Sequence, residues 1–297
     1  MVMLITGGSG FIGSHVVRAL VSDGFSVRVL DKLKPPSDEI EWFKGDLLNK
    51  EHVYDAMQDV DTVFHLGAVA DVNVAVTDPE GCLAVNEMGT LNLLRACSGR
   101  EVERIILASS VWVYGKAEGA VTEETPVPLP SDMYTKTKIG QEHLVYSWCQ
   151  SHPLAYTILR YDIPYGPGMR MNMAIAAFVR RAMRKEPITI YGDGQQGRCW
   201  IFVTDLAYAH CLALSEAAKN QILNIAGSEF VTISEIVDIL KETFGEFPIN
   251  RAESRPGDFR GVHTSIAKAQ KLVGWNPATH FRQGLLKYIE HVRTDQR

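Results

Sequence analysis

One stretch constrains the fold of this chain more than any other: Thr6-Gly7-Gly8-Ser9-Gly10-Phe11-Ile12-Gly13. It follows a short apolar run, Val2–Thr6, and opens into a helical pattern, Ile12–Ser22. Strand, glycine turn and helix in that order begin a βαβ unit of the kind that binds a dinucleotide. Gly7 makes the tight turn, Gly10 lets backbone approach a pyrophosphate, and Gly13 lets the helix lie close on the strand. N–H groups at the helix start, with the helix dipole, then hold the phosphate charge. Asp31 ends the second apolar run, at the distance where a carboxylate reaches the adenosine ribose. There it accepts from both ribose hydroxyls and repels a 2′-phosphate, which favours NAD over NADP. Lys32 and Lys34 stand close enough in sequence to soften that repulsion.

The alternation continues. Val27–Leu30, Thr62–Leu66, Arg104–Ser109 and Tyr156–Arg160 are short, rich in Val and Ile, and apolar on both faces, as buried parallel strands are. Between them Glu51–Gln58, Cys82–Cys97 and Tyr134–Cys149 carry helical spacing. This predicts right-handed crossovers and an α/β fold with a doubly wound parallel sheet. Pro164, Gly166, Pro167 and Gly168 then crowd into one loop. Met173–Arg184 and Val203–Ser215 read as helices and Ile222–Ala226 as a strand. Thr232-Ile-Ser-Glu235 is a capping box opening a helix to about Phe244, and Ser265–Val273 and Phe281–Arg293 read as two more helices. The expected organisation is a dinucleotide-binding domain over 1–165, with a return segment at about 203–226. A smaller, mostly helical C-terminal substrate lobe is expected from 166–202 and 227–297, on the carboxyl edge of the sheet.

Composition narrows the function. A formal charge of −5 argues against nucleic acid as a partner. With 297 residues, 46% apolar, the chain can bury a core without disulfide or metal staples. Cys82, Cys97, Cys149, Cys199 and Cys211 are scattered without a C-x-x-C pair, which suits a reducing, cytoplasmic compartment. Residues 1–6 lack the basic flank and cleavage site of a signal peptide, and no apolar run is long enough for a membrane span. The histidines include no H-x-x-x-H pair, so no metal centre is expected. Gly7-Gly8-Ser9-Gly10-Phe11 breaks the G-x-S-x-G of a hydrolase elbow.

Of ten tyrosines only Tyr134 has a lysine four residues on, Lys138. On a helix the two share a face. A phenol titrates near about 10, so it needs a nearby cation to act as a base near neutrality. Ser110 follows a strand and could hold a substrate hydroxyl between itself and Tyr134. Taken alone, the pair is equally a core tyrosine with a surface lysine.

Together, Gly7–Gly13, Ser110, Tyr134 and Lys138 resemble the extended short-chain dehydrogenase/reductase superfamily, with its Rossmann sheet. Within it, the chain resembles the nucleotide-sugar epimerases and dehydratases typified by UDP-galactose 4-epimerase. Matching stretches run in order to about Pro277: Gly45-Asp46-Leu47, His65-Leu66-Gly67-Ala68, Asn86 with Gly89-Thr90, and Tyr114-Gly115. Leu159-Arg160-Tyr161, Tyr165-Gly166-Pro167-Gly168, Ile190-Tyr191-Gly192-Asp193-Gly194, Arg198, Asp205-Leu206-Ala207, Arg255-Pro256-Gly257-Asp258 and Gly274-Trp275 follow.

The resemblance implies NAD as cofactor, with Phe11, Ile12, Lys32, Gly67 and Tyr161 joining the glycines and Asp31 around it. It implies that Asp46 and Leu47 flank the adenine, and that Leu66, Ala68 and Ala70 line the cofactor channel. Asn86 would lie near the ribose or nicotinamide. Asn172, Thr189 and Tyr191 would contact the substrate's nucleotide, and Arg198 and Arg255 its diphosphate, with Asp258 nearby. A guanidinium fork does match phosphate oxygens. Ser110, Tyr134 and Lys138 would carry the chemistry. A homodimer is implied through a four-helix bundle built from Cys82–Cys97 and Tyr134–Cys149, with Leu91, Val145 and Trp148 facing the partner.

The chain also departs from the family. Val111 and Trp112 stand where many 4,6-dehydratases carry an acidic pair, which argues for epimerisation or simple redox chemistry. Asp162 and Ile163 replace an aromatic residue and an Asn, and Cys199 an Asp. Val262 stands where some hexose epimerases carry a tyrosine, a change that would admit a larger C2 substituent. The expectation is an NAD-dependent epimerase inverting C4 of a nucleotide-sugar, most simply a UDP-hexose, through a 4-keto intermediate. The alternatives are a nucleotide-sugar dehydratase, decarboxylase or 4-ketoreductase, and a non-catalytic nucleotide-sensing protein on the same fold.

Overall fold

The computed structural model describes residues 1–37, 39–117, 119–254 and 260–295. Seven strands build its central sheet: β1 (Val2–Thr6), β2 (Ser26–Asp31), β3 (Glu41–Lys44), β4 (Thr62–His65), β5 (Arg104–Ser110), β7 (Ala155–Tyr161) and β12 (Gln221–Ile225). Their order is β12-β7-β5-β4-β1-β2-β3, and every neighbouring pair is parallel. Helices α1 (Phe11–Ser22), α2 (Lys50–Ala56), α5 (Gly89–Gly99), α6 (Met133–Ser151) and α8 (Val203–Leu212) make the crossovers, and α3 (Val72–Thr77) and α4 (Pro79–Leu83) lie ahead of α5. This is the doubly wound Rossmann arrangement.

The strands' alternation separates two apolar layers. Met3, Ile5 and Val29 bury against Val16, Val17 and Leu20 of α1 and Leu206 of α8. Leu4, Leu30, Val63, Ile105 and Ile158 face the other way, onto Val53 of α2, Leu93 and Leu94 of α5 and Val145 of α6. Strands sandwiched in this way must be apolar on both faces.

Four two-stranded pairs lie outside the sheet. They are β6 (Ala120–Val121) with β15 (His263–Thr264), β8 (Pro164–Tyr165) with β11 (Ile201–Phe202), β9 (Ile188–Tyr191) with β14 (Ile249–Ala252), and β10 (Gly197–Arg198) with β13 (Val231–Thr232). With α7 (Ala174–Met183), α9 (Ile233–Phe244) and α11 (Phe281–Asp295), these later segments form a separate core around Val179, Ile190, Phe202, Leu240 and Leu285. Helix α10 (Ala267–Val273) returns Ala269 to the sheet's first layer. The capping box at Thr232 and Glu235 is formed. No helix among the described residues is long and apolar enough to cross a membrane.

The helix expected over Cys82–Cys97 is present without a break in helical backbone, but one turn of it is wound differently. A π-helical turn, Ala84–Met88, lies between α4 and α5. An inserted residue of this kind leaves the apolar spacing on either side nearly intact, so periodicity does not reveal it. Strand order reverses between β1 and β4, and the crevice where ligands bind in such sheets opens there, at the carboxyl ends.

Candidate active site

The loop after β1 makes one wall of the crevice. Gly7 has φ +71, and a Cβ there would lie 2.8 Å from Gly67 Cα, so only glycine passes between the two loops. A Cβ on Gly13 would meet the Gly7 carbonyl oxygen at 2.1 Å, which shows how tightly α1 crosses the turn. Gly10 caps α1 without a side-chain hydrogen bond, leaving the first-turn N–H groups for a ligand. The Asp31 carboxylate accepts from Ser9 N and Leu33 N, both at 3.0 Å, and so is held beside the turn. Lys32 pairs with Asp46 at 2.9 Å.

Between this wall and the second lobe lies a cleft of about 940 Å³. Gly7, Gly10, Phe11, Ile12, Gly13, Asp31, Lys32, Asp46 and Leu47 line one end of it. Leu66, Gly67, Ala68 and Ala70 form its floor after β4, and Ser110, Tyr134, Lys138, Tyr161 and Asn172 line the rest. Residues scattered over more than 160 positions of sequence thus meet in one place.

Tyr134 and Lys138 sit on the inner face of α6, whose N-terminus Asp132 caps by accepting from Thr135 N at 2.8 Å. The Tyr134 phenol and Ser110 both line the cleft. Burial pushes this phenol up to about 12, the Ser110 hydroxyl and the Arg170 guanidinium opposing it. Lys138 Nζ donates to the Ala108 carbonyl at 2.9 Å. Burial pulls this ammonium down to about 8, against Glu142 and Cys82. Burial also raises Tyr161, at the end of β7.

Asn86 is fully buried and is not part of the cleft lining. Its side chain accepts from Val69 N at 2.7 Å, and donates to Val69 O at 3.1 Å and to Thr137 Oγ1 at 2.9 Å. It therefore ties the loop after β4 to the helix that carries Tyr134. Thr189 and Tyr191 lie on β9 and Arg198 on β10, beyond the lining of the cleft. Arg255 and Asp258 lie outside the described residues.

Several expectations change on this geometry. Val145 is fully buried in the chain's own core, so it cannot face a partner. Val262 packs with Val111, Val113 and Tyr114, not in the cleft. The Asp162 carboxylate accepts from Ile163 N at 2.8 Å, Cys199 N at 3.2 Å and Thr264 Oγ1 at 3.0 Å, and so ties second-lobe strands together.

Among the cleft residues that sequence reasoning misses, Arg170 and Asp71 carry charge. Arg170 donates to Asp71 at 3.1 Å and to the Ala70 carbonyl at 3.2 Å, and Asn172 donates to the same Asp71 oxygen at 3.3 Å. These bonds cross the mouth of the cleft from one lobe to the other. Asp71 also caps α3, accepting from Asn73 N. No local pattern joins it to a residue about a hundred positions away.

Comparison with known proteins agrees with this geometry. The sequence model of the "NAD dependent epimerase/dehydratase family" matches residues 3–226. The chain is 30% identical to the UDP-glucose 4-epimerase of Halalkalibacterium halodurans, over 93% of this chain and 91% of that one. Among solved structures, MoeE5 in complex with UDP-glucose and NAD is 34% identical over the whole of both chains, with a TM-score of 0.93. A second structure of MoeE5 holds UDP-glucuronic acid and NAD. The UDP-glucose 4-epimerase of Thermus thermophilus, complexed with NAD, is 35% identical over 99% of each chain, with a TM-score of 0.90.

Proposed function

The chain belongs to the NAD dependent epimerase/dehydratase family, within the extended short-chain dehydrogenases/reductases, and on that premise we propose that it inverts C4 of a UDP-hexose through a 4-keto intermediate. The cofactor is NAD, and the residues present fit it: the uncapped start of α1 suits a pyrophosphate, and the fixed Asp31 carboxylate suits an unphosphorylated ribose. Leu47 and Asp46 would flank the adenine. The segments 1–165 and 203–226 would hold NAD, and 166–202 with 227–297 the nucleotide sugar. Thr189, Tyr191, Arg198, Arg255 and Asp258 remain the proposed nucleotide and diphosphate contacts.

When bound, NAD supplies a reversible hydride acceptor for the carbon at C4. Tyr134 takes the proton of the C4 hydroxyl, and Ser110, which lines the same cleft, holds that oxygen. Lys138 leaves the Ala108 carbonyl or shares it, orients the nicotinamide ribose, and favours the phenolate by its charge. After the keto sugar has turned over, Tyr134 returns the proton. The observation that carries this reading is the placement of Tyr134 and Lys138, one turn apart on α6, in the lining of one cleft with Ser110, at the point where strand order reverses.

A second reading of the sugar rests on Arg170. Its guanidinium lines the cleft and acts on the Tyr134 phenol, and a substrate carboxylate could share it with Asp71, its partner at 3.1 Å. That favours a sugar bearing a C6 carboxylate, a UDP-uronate. Proton NMR of the enzyme with UDP-glucose, UDP-glucuronate, UDP-N-acetylglucosamine and dTDP-glucose decides. The expected result is C4 inversion without net consumption of cofactor. Dehydration, decarboxylation or no turnover in the whole panel overturns the proposal.

We further propose a homodimer through the outer faces of α5 and α6, as a four-helix bundle, and a reducing, cytoplasmic setting. The five cysteines are all unpaired, three of them buried.

A further inference from the structure

Helix α6 carries a charged residue that the proposed chemistry does not use. Glu142 follows Lys138 by one turn on the same face and is almost wholly buried. Its carboxylate accepts from Arg160 Nη2 at 2.7 Å, from Arg160 Nε at 2.9 Å, and from Ser109 Oγ. Arg160 also donates to the Tyr114 oxygen at 3.1 Å, and Tyr114 donates to Asn224 Oδ1 at 2.7 Å. Ser109 precedes Ser110, and Arg160 precedes Tyr161. One carboxylate therefore pins α6 to the carboxyl ends of β5 and β7, next to three residues of the cleft. A buried ion pair gains little stability, because desolvation offsets most of its attraction. Its place one turn from a buried ammonium calls for another reason.

We propose that Glu142 is a positioning residue: clamped by Arg160 and Ser109, it fixes the Tyr134–Lys138 face of α6 against β5 and β7 and holds the Lys138 ammonium in its charged form. The inference rests on reading Lys138 as the charged partner of Tyr134. Lys138 donates to a neutral carbonyl, so charge must be balanced from elsewhere. Burial draws it down to about 8, and Glu142 is the first of the groups that oppose this. Tyr134 lies one turn before Lys138 on the same helix, His65 on β4 and Cys82 on α4 act on it, and Arg160 on β7 faces Glu142 rather than the ammonium. His65 is held neutral by burial, and the Cys82 thiol acts in the same sense as Glu142 but less strongly. Tyr114, after β5, is turned to Arg160, while Lys136 on α6 is paired with Glu87 at 2.6 Å.

Nitrogen-15 NMR titration of Lys138 Nζ in the cofactor-free protein tests this. Glu142→Gln keeps the shape and leaves Arg160 an uncompensated cation, so the Lys138 midpoint falls by about one pH unit or more. Arg160→Gln leaves an uncompensated carboxylate, so the midpoint rises. The double Gln variant titrates above Glu142→Gln and below the native protein. A bridge that only braces the helix loosens α6 alike in both single variants. Midpoints that move in the same direction, or not at all, overturn the proposal. If Arg160→Gln does not fold, the order of Glu142→Gln and the double variant still decides. In the native enzyme, the alkaline limb of kcat should follow the same order of variants while KM for the sugar nucleotide stays nearly constant. Correct NMR order with no turnover on any sugar nucleotide supports the role of Glu142 and overturns the epimerase reading instead.

Discussion

Tyr134 keeps its proton far above neutrality in the cofactor-free protein, because burial outweighs the help of Ser110 and Arg170. Proton removal from a sugar hydroxyl then depends on charge brought close to that phenol. Tyr134→Phe deletes one oxygen and keeps the ring, so NAD binding and thermal stability should be unchanged. C4 inversion should fall by about 10²–10⁴, the usual contribution of a positioned proton transfer. Near-normal conversion by a folded variant rules the assignment out. Asp31 decides the cofactor by the same kind of local argument. Lys32, expected from sequence to soften repulsion of a 2′-phosphate, is engaged by Asp46 at 2.9 Å. Asp31→Ala should therefore narrow the preference for NAD over NADP, and adding Asp46→Asn should narrow it further by releasing Lys32. Tighter binding of NADP than of NAD by the native protein contradicts the argument. Spacing singled out Tyr134, Lys138 and Asp31, and all three line the cleft. It could not reveal that Asn86 braces a loop from inside, because a buried amide and a ligand-facing amide look alike in sequence.

Elements were legible where period and turn chemistry agree. Six of the seven sheet strands lie within a residue or so of the apolar runs, because burial keeps those runs apolar; the edge strand β3, exposed at both ends, matches none of them. Pairs such as β8 with β11 and β10 with β13 were not legible, because two residues carry no period. The packing of β1 against α1, β4 and α5 makes two predictions. Gly13→Ala places a Cβ 2.1 Å from the Gly7 oxygen, so α1 must shift off the turn. NAD affinity, measured by calorimetry, should fall by at least about tenfold; unchanged affinity would mean that the turn does not hold the pyrophosphate. Deeper in, His65 lies between Thr6 Oγ1 and Thr90 Oγ1, 2.8 Å from each. Burial, reinforced by the Lys138 charge, lowers its proton affinity from the ordinary value to about 3. A folded-state value below the unfolded one contributes stability that is complete above about 6.5 and is lost as pH falls toward 3. Denaturant midpoints should show a slope of up to about 1.4 kcal/mol per pH unit from this one group. His65→Gln should flatten that slope while lowering stability at neutral pH. An unchanged slope places the acid sensitivity elsewhere.

At the scale of the whole molecule, two apolar layers and a separate second-lobe core leave one cleft between them, crossed at its mouth by Arg170 and Asp71. The outer faces of α5 and α6 have a different character. Met88, at the start of α5, is half exposed, and Leu91 and Trp148 are only half-buried. Trp148 Nε1 donates to Ser98 Oγ at 2.9 Å, which fixes the two helices side by side, and its ring stacks on His152 at 4.2 Å. Val145, between them in sequence, already belongs to the core, so any partner must dock on the remaining residues. A second copy of the chain would bury this apolar strip without touching the cleft, whose opening lies at the carboxyl ends of the strands. Sedimentation equilibrium at micromolar concentration should therefore give about 66 kDa, twice the 33.0 kDa chain. Leu91→Glu places a charge in the centre of that strip and should shift the equilibrium toward the single chain, with NAD affinity retained. A native protein that sediments only as the 33.0 kDa species excludes the dimer. A Leu91→Glu protein that remains fully dimeric moves the contact to another face.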